Sequence, residues 1–379
     1  MYDAHQLRDA YMQLEHGKTR LEGMRYAASE ADKNNDISFR LFFRLEQCSE
    51  STFFGDSLDM FVVFPEVLAI IDEHPDAAVT QYDSVYTCEM EHVMWVYKWV
   101  IDNTSEFYQI PLEDCKKYFE DFKRRTLQLG YSLRPYYQYL YNFYEDIAPQ
   151  KAKKYFHKCE MLPYSYEGNC DCRACERNWA ISFYLKHDNM ERAKKLAEDI
   201  ESFRLTCGAD SDNAWLRLRN HYGEYYMRHR EYEKAAKCYD QIREHNSDYT
   251  EFQNWDEAII CYAHLDMGKA LQLYKEFWRE WVNMRNPSDN YFACINLCAF
   301  FRMLGNTRET VKLDFDKTFP CFRADHEYQI DKLYDFYYEQ GRVLADKFDA
   351  RNGIEWYRTN LDEQIQYKAY SETGTSDNK

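Results

Sequence analysis

Four cysteines carry the plainest chemistry in this sequence: Cys170, Cys172 and Cys175 in one short run, and Cys207 further along. A Cys-x-x-Cys pair lets two thiolates reach one ion, and a structural zinc site takes four nitrogen or sulfur donors in a tetrahedron. Residues 178–187 and 191–203 are short amphipathic segments separated by Asp188-Asn189. Folded as antiparallel helices, they bring the start of the first and the end of the second to one end of a hairpin. Cys170, Cys172, Cys175 and Cys207 then converge as a structural metal site, with Zn²⁺ the expected ion. Cys170 is the best fourth donor, ahead of Asp210, Asp212 and His221. Arg173 and Arg177 beside the thiols are expected to lower their pKa and offset thiolate charge. Two other readings of the same residues stay open. The thiols can pack unligated as small hydrophobes, or form a redox pair, although the strand–helix setting of a thioredoxin-like motif is absent.

Other reactive constellations are missing. The chain has no Gly-rich phosphate loop, no Gly-x-Ser-x-Gly and no His-Glu-x-x-His. Glu89-Met90-Glu91-His92 reads as a solvated helix face, and His157, His187, His221 and His229 have no evident partner in the sequence. With no base or oxyanion arrangement beside the cysteines, the expectation is a protein that is not an enzyme.

The elements that must position the cysteines are helical. Only 12 Gly and 8 Pro occur in 379 residues, too few turns for a sandwich or barrel, while 45% hydrophobic content is enough to build a core. Residues 4–31 read as one long amphipathic helix, stopped by Asn34-Asn35-Asp36, which caps a second helix over 37–54. Gly55-Asp56-Ser57 turns the chain into a return segment at 58–71. Further helices are expected over 84–102, from Pro111 to near Gly130, and over the tyrosine-rich 136–144 paired with 149–159. Tyr136, Tyr137, Tyr139, Tyr141 and Tyr144 spread around much of one helix, so some of them must escape burial. Near the end, 325–341 and a segment from 344 through 354 onward read as two helices that continue the stack to about Tyr370.

Small residues recur in the second helices of successive hairpins: Ala152, Ala193, Ala235, Ala270 and Thr310. They suit places where the paired helices approach closely. The fold class expected is all-α, a superhelical solenoid of antiparallel helical hairpins, as one array over residues 1–370 with its most regular repeats at 178–282. Residues 371–379 form a polar tail expected to be disordered.

Gly223, Tyr226, Tyr232, Ala235 and Tyr239 fall at the offsets of a tetratricopeptide repeat, and the chain resembles that superfamily across roughly 37–345. More narrowly it resembles a group of uncharacterised bacterial repeat proteins. The likeness rests on Phe53-Phe54-Gly55-Asp56, on Trp95-Val96-Tyr97-Lys98-Trp99-Val100, and on a Cys-x-x-Cys followed one hairpin later by Leu205-Thr206-Cys207. In that group a His commonly follows the third Cys by a few residues. Here Gly208-Ala209-Asp210-Ser211-Asp212 has none, so either Cys170 has taken the fourth position or the site has been lost. The resemblance implies no known activity.

Net charge is −17, against which a phosphate-binding surface is unexpected; the partner is expected to be a protein or peptide, preferably basic, with no nucleic acid and no membrane. The basic clusters at Lys116–Lys117, Lys123–Arg125 and Lys151–Lys154 read as solvated faces beside carboxylates. Thirteen cysteines set mostly in helical patterns, with no apolar leader at the N-terminus, point to a reducing cytoplasm. The function expected is a non-catalytic binding scaffold with a structural metal clip. The alternative is a regulatory repeat protein whose superhelix responds to a peptide and so changes its grip on a second protein.

Overall fold

The computed structural model describes residues 2–77, 90–166, 168–208, 213–245 and 255–370. Among these residues the chain is helical almost throughout, compatible with an α-solenoid, and it divides into two compact units, Met1–Cys170 and Asp171–Lys379. The expected helix start at 84, Cys88 and the 371–379 tail lie outside the described residues. Among the described residues no helix is long and apolar enough to cross a membrane.

The first unit holds α1 (Ala4–Met12), α2 (Lys18–Lys33), α3 (Ile37–Phe54), α4 (Met60–Glu73), α5 (Met90–Asn103), α6 (Leu112–Gln128), α7 (Arg134–Tyr144) and α8 (Pro149–Glu160). Each helix packs on the next, and α3, α5 and α7 also pack in sequence. The start of α3 follows from its cap: the Asp36 carboxylate accepts from the Phe39 N–H at 3.2 Å. Where one helix is expected over 4–31, the structure has two. Gly17 breaks it at φ 91°, and the buried Glu50 of α3 holds the break by accepting from the Gly17 N–H at 2.6 Å. Arg20 closes the same turn by donating to the Leu14 carbonyl at 2.6 Å. A carboxylate distant in sequence thus overrides a helical pattern that is locally continuous.

The second unit contains α9 (Arg173–Lys186), α10 (Met190–Glu201), α11 (Asn213–Arg228), α12 (Tyr232–His245), α13 (Trp255–Leu265), α14 (Met267–Asn283) and α15 (Pro287–Gly305). A short ladder of β1 (Thr310–Lys312) and β2 (Glu327–Gln329) follows, then α16 (Ile330–Asn352) and α17 (Trp356–Ala369). Consecutive helices pair, while α9 packs on α11, α13 on α15 and α15 on α17. Ala193, Ala235 and Ala270 are wholly buried, as their recurrence predicts. A Cβ at Gly223 would stand 2.9 Å from the Tyr239 ring, which is why helix α11 carries no side chain there.

Two expectations near the end are corrected. Thr310 lies in a strand, not a second helix: Val311 pairs with Tyr328 in the antiparallel ladder, and Phe315 and Phe319 pack their rings against Trp278 of α14. The apolar residues here serve an insert that caps a helix pair. The two helices expected over 325–354 are the single α16. Gly341 reads as a break, but it sits inside the helix because a Cβ would meet Cys294 and Leu361, each at 3.1 Å. The helix ends instead at Gly353, whose φ of 67° is the left-handed conformation of a C-terminal stop. Buried Asp349 then caps α17 from outside it, accepting from the Tyr357 and Arg358 N–H groups, each at 2.9 Å.

Candidate metal centre

Cys172 is the N-cap of α9, and Cys175 lies one turn in, so the two thiols share the N-terminal end of one helix, where both are half-buried. The antiparallel α10 ends at Glu201, and the chain turns back through Phe203, which takes a φ of 53°. The Leu205 N–H donates to the Asp199 carbonyl at 3.0 Å, and Cys207 arrives beside the start of α9. One carboxylate ties this turn together. Asp199 accepts from Arg177 of α9 at 2.6 Å and from Arg204 at 3.0 Å, and these hydrogen bonds hold its carboxyl below the usual range.

The Sγ atoms of Cys172, Cys175 and Cys207 all lie within 4.8 Å of one another, close enough to bind a metal. Cys175 and Cys207 are 3.7 Å apart, far beyond the ~2.05 Å of a disulfide. Four sulfurs at ~2.3 Å from a tetrahedral ion stand about 3.8 Å apart. Leu205 packs with Cys172 and Cys207 against the core of α9, α10 and α11.

The cysteine convergence drawn from the hairpin pattern therefore holds for three of the four residues. Cys170 ends the first unit, where its side chain is buried and the adjacent Asn169 carbonyl accepts from Lys98 Nζ at 3.2 Å; it does not belong to the three-thiol group. Asp210 and Asp212 lie outside the described residues. His221 is not in the group either; its Nδ1 lies 4.0 Å from the Glu224 carboxylate.

The expected role of the arginines is corrected. Arg177 spends its guanidinium on Asp199, and Arg173 is exposed. The Cys175 thiol is pushed up, not down, first by burial and then by the crowding of Cys172 and Cys207. The four-residue Glu-Met-Glu-His stretch also differs from a solvated face, since His92 is half buried and burial lowers its pKa; Glu89 lies outside the described residues.

A second polar cluster escaped the sequence reading. In α13, Asp256 is buried and Glu257 partly so; Asn296 of α15 donates to Asp256 at 2.7 Å. Lys368, from the end of α17, donates to Asn296 Oδ1 at 2.7 Å and lies 3.7 Å from Glu257. Burial pushes the Glu257 carboxyl up to about 7; Lys368 opposes the shift, while Glu224 and Asp256 add to it. The one available signal was two adjacent acids, Asp256 and Glu257, inside an otherwise apolar helix.

The class defined so far is an all-helical protein of paired helices with a three-thiol cluster able to take a metal ion. No protein family, curated protein or solved structure matches the chain.

Proposed function

We propose that this protein is a non-catalytic scaffold of the tetratricopeptide-repeat type that binds a protein or peptide, with a structural zinc ion clipping the α9–α10 hairpin. The observation that carries the reading is the meeting of Cys172, Cys175 and Cys207 at one hairpin end, with a sulfur–sulfur spacing that suits a tetrahedral ion. Zinc there ties the loop after α10 to the first turn of α9, and so sets how this hairpin stacks on α11. The packing of α9 on α11 and of α13 on α15 supports a row of first helices, the arrangement from which repeat scaffolds build a binding face.

The binding chemistry proposed is acidic. Lys368 settles against Asp256, Glu257 and Asn296, so the chain itself supplies an example of a lysine accepted by this face. The same contact favours the regulatory variant of the reading, in which a basic peptide displaces the end of α17 from α13 and α15. Metal analysis of protein purified without chelator tests the clip: about one zinc per chain in wild type, lost in Cys172→Ser and Cys207→Ser. A metal-free wild type ends the clip reading. Pull-down from the native host tests the scaffold; a partner held by the acidic face is released as salt rises, and salt-insensitive binding rejects the electrostatic part.

A further inference from the structure

One face of the first unit has the opposite character from the rest of this acidic chain. Tyr136, Tyr137 and Tyr144 of α7 are the tyrosines that escape burial, and they meet Tyr155 of α8. Tyr155 stacks on Tyr137 at 6.2 Å and on Tyr144 at 5.8 Å, and Tyr136 lies 5.2 Å from Tyr137. Lysines surround these rings. Lys151 Nζ stands 3.6 Å over Tyr144, Lys158 lies 5.6 Å from Tyr137 and 5.4 Å from Tyr155, and Lys123 of α6 lies 5.5 Å from Tyr136. An open groove of ≈ 650 Å³ runs along this side of α8, lined by Ala148, Pro149, Tyr155, Lys151, Lys154 and Lys158. It includes the N-terminal turn of α8, whose dipole adds positive potential.

These lysines gather around the rings with no acid paired to them. Lys116 and Lys117, nearby on α6, pair with Glu113 and Asp114 as a solvated face should. Lys123, Lys151, Lys154 and Lys158 form no ion pair with any described residue, contrary to the expectation of neighbouring carboxylates. The hydroxyls of Tyr136, Tyr137, Tyr144 and Tyr155 likewise make no hydrogen bond to any described residue. The nearest acid with a traceable effect is Glu120, which with the other phenols and, above all, burial pushes Tyr136 up to about 12. The surface therefore offers ammonium and phenol donors together and few acceptors to satisfy them.

We propose that the groove along α8, with the tyrosines of α7 beside it, binds an acidic segment of a partner protein, its carboxylates taken by Lys151, Lys154 and Lys158, by Lys123 next to them, and by the phenol hydroxyls of Tyr137, Tyr144 and Tyr155. This inference rests on the scaffold reading and adds a second site, of opposite sign to the Asp256–Glu257 cluster. Single-stranded nucleic acid is the competing occupant of a basic aromatic groove, but it needs ring faces on which bases can stack. Here those faces are taken: Tyr155 lies against Tyr137 and Tyr144, and Lys151 covers Tyr144.

Fluorescence anisotropy on the full chain tests the proposal, with labelled poly-glutamate, poly-lysine and oligo-dT as probes. Poly-glutamate should bind, and more weakly as salt rises. The triple variant Lys151→Glu/Lys154→Glu/Lys158→Glu should weaken it by about tenfold or more, three rim charges being reversed at once. Those three lysines are exposed, so circular dichroism should be unchanged. Lys194→Glu/Lys195→Glu, which reverses exposed lysines of α10, should leave the affinity as it was, and Tyr137→Phe/Tyr144→Phe/Tyr155→Phe should lower it by a smaller factor. Failure of poly-glutamate to bind, equal binding by the triple lysine variant, or tighter binding of oligo-dT each overturns the proposal. Binding of poly-lysine but not poly-glutamate to the wild-type chain leaves the scaffold reading standing while this site falls, so the two failures are distinguishable.

Discussion

The α9–α10 hairpin and the α16–α17 hairpin both fasten a turn to the start of a helix, but with different materials. At α16–α17 one buried carboxylate, Asp349, satisfies two N–H groups of the next helix, and the joint is complete within the protein. At α9–α10 three thiols gather within 4.8 Å of one another. Sulfur is a weak hydrogen-bond partner, so three neighbouring thiols gain little from one another. The first joint is stabilised by the sequence alone; under the proposed clip, the second gains its full strength only with a cation. The clip proposal therefore couples the stability of α9–α10 to metal supply and leaves that of α16–α17 independent of it.

The largest test of this difference is removal of the metal. Chelator, or Cys207→Ser, should destabilise the zinc-loaded protein by at least about 4 kcal/mol in the unfolding of α9–α10, since binding energy at a structural site is folding energy. Hydrogen exchange should rise across residues 173–207 and stay unchanged across 330–369. A chelator that leaves exchange at 173–207 unaltered would show that the thiols merely pack.

At the other joint Asp349→Ala should cost about 3 kcal/mol, because it strips partners from two N–H groups where Asp349 itself is buried. Zinc content should not change. Asp349→Asn, which keeps one acceptor oxygen, should recover part of the loss in a denaturant melt. Equal stability of the alanine variant and wild type would mean that water caps α17 as well as the carboxylate does.

The contrast also explains what could be read from the residues alone. Cys172, Cys175 and Cys207 could be brought together in advance because a helical hairpin is local geometry, and the start of α3 because Asp36 caps it from one residue away. The break at Gly17 depends on Glu50, a helix away, and the continuity of α16 through Gly341 depends on Cys294 and Leu361. Lys368 reaches Asn296 across 72 positions, which no periodicity records. Local devices left a sequence trace; those completed by a distant side chain did not.

Glu257 offers a pH-dependent comparison with both joints. Its carboxyl is raised to about 7, chiefly by burial, so the folded protein holds a proton that the unfolded chain releases near pH 4.5. The folded state then binds more protons between these values, and stability falls as pH rises from about 4.5 through about 7. Glu257→Gln removes that proton exchange. Its stability should decline less over this range, by about 2 kcal/mol, and at pH 8 it should match or exceed wild type despite losing the Lys368 contact. An unchanged slope in thermal melts would assign the pH dependence to other groups.

The smallest expected effect lies beside the thiols themselves. Asp199 fixes the turn after α10 through Arg177 and Arg204, but it does so on the surface, where ion pairs are screened and side-chain freedom opposes them. If metal is what closes this hairpin, Asp199→Ala should lower the melting temperature of the zinc-loaded protein by less than about 2 °C and leave bound zinc intact. After chelation the same substitution should matter more, because the carboxylate is then the main polar tie between α9 and the returning chain. That non-additivity separates a metal clip from a salt-bridge clip: equal shifts with and without chelator would make Asp199, and not the cysteines, the fastener of α9–α10.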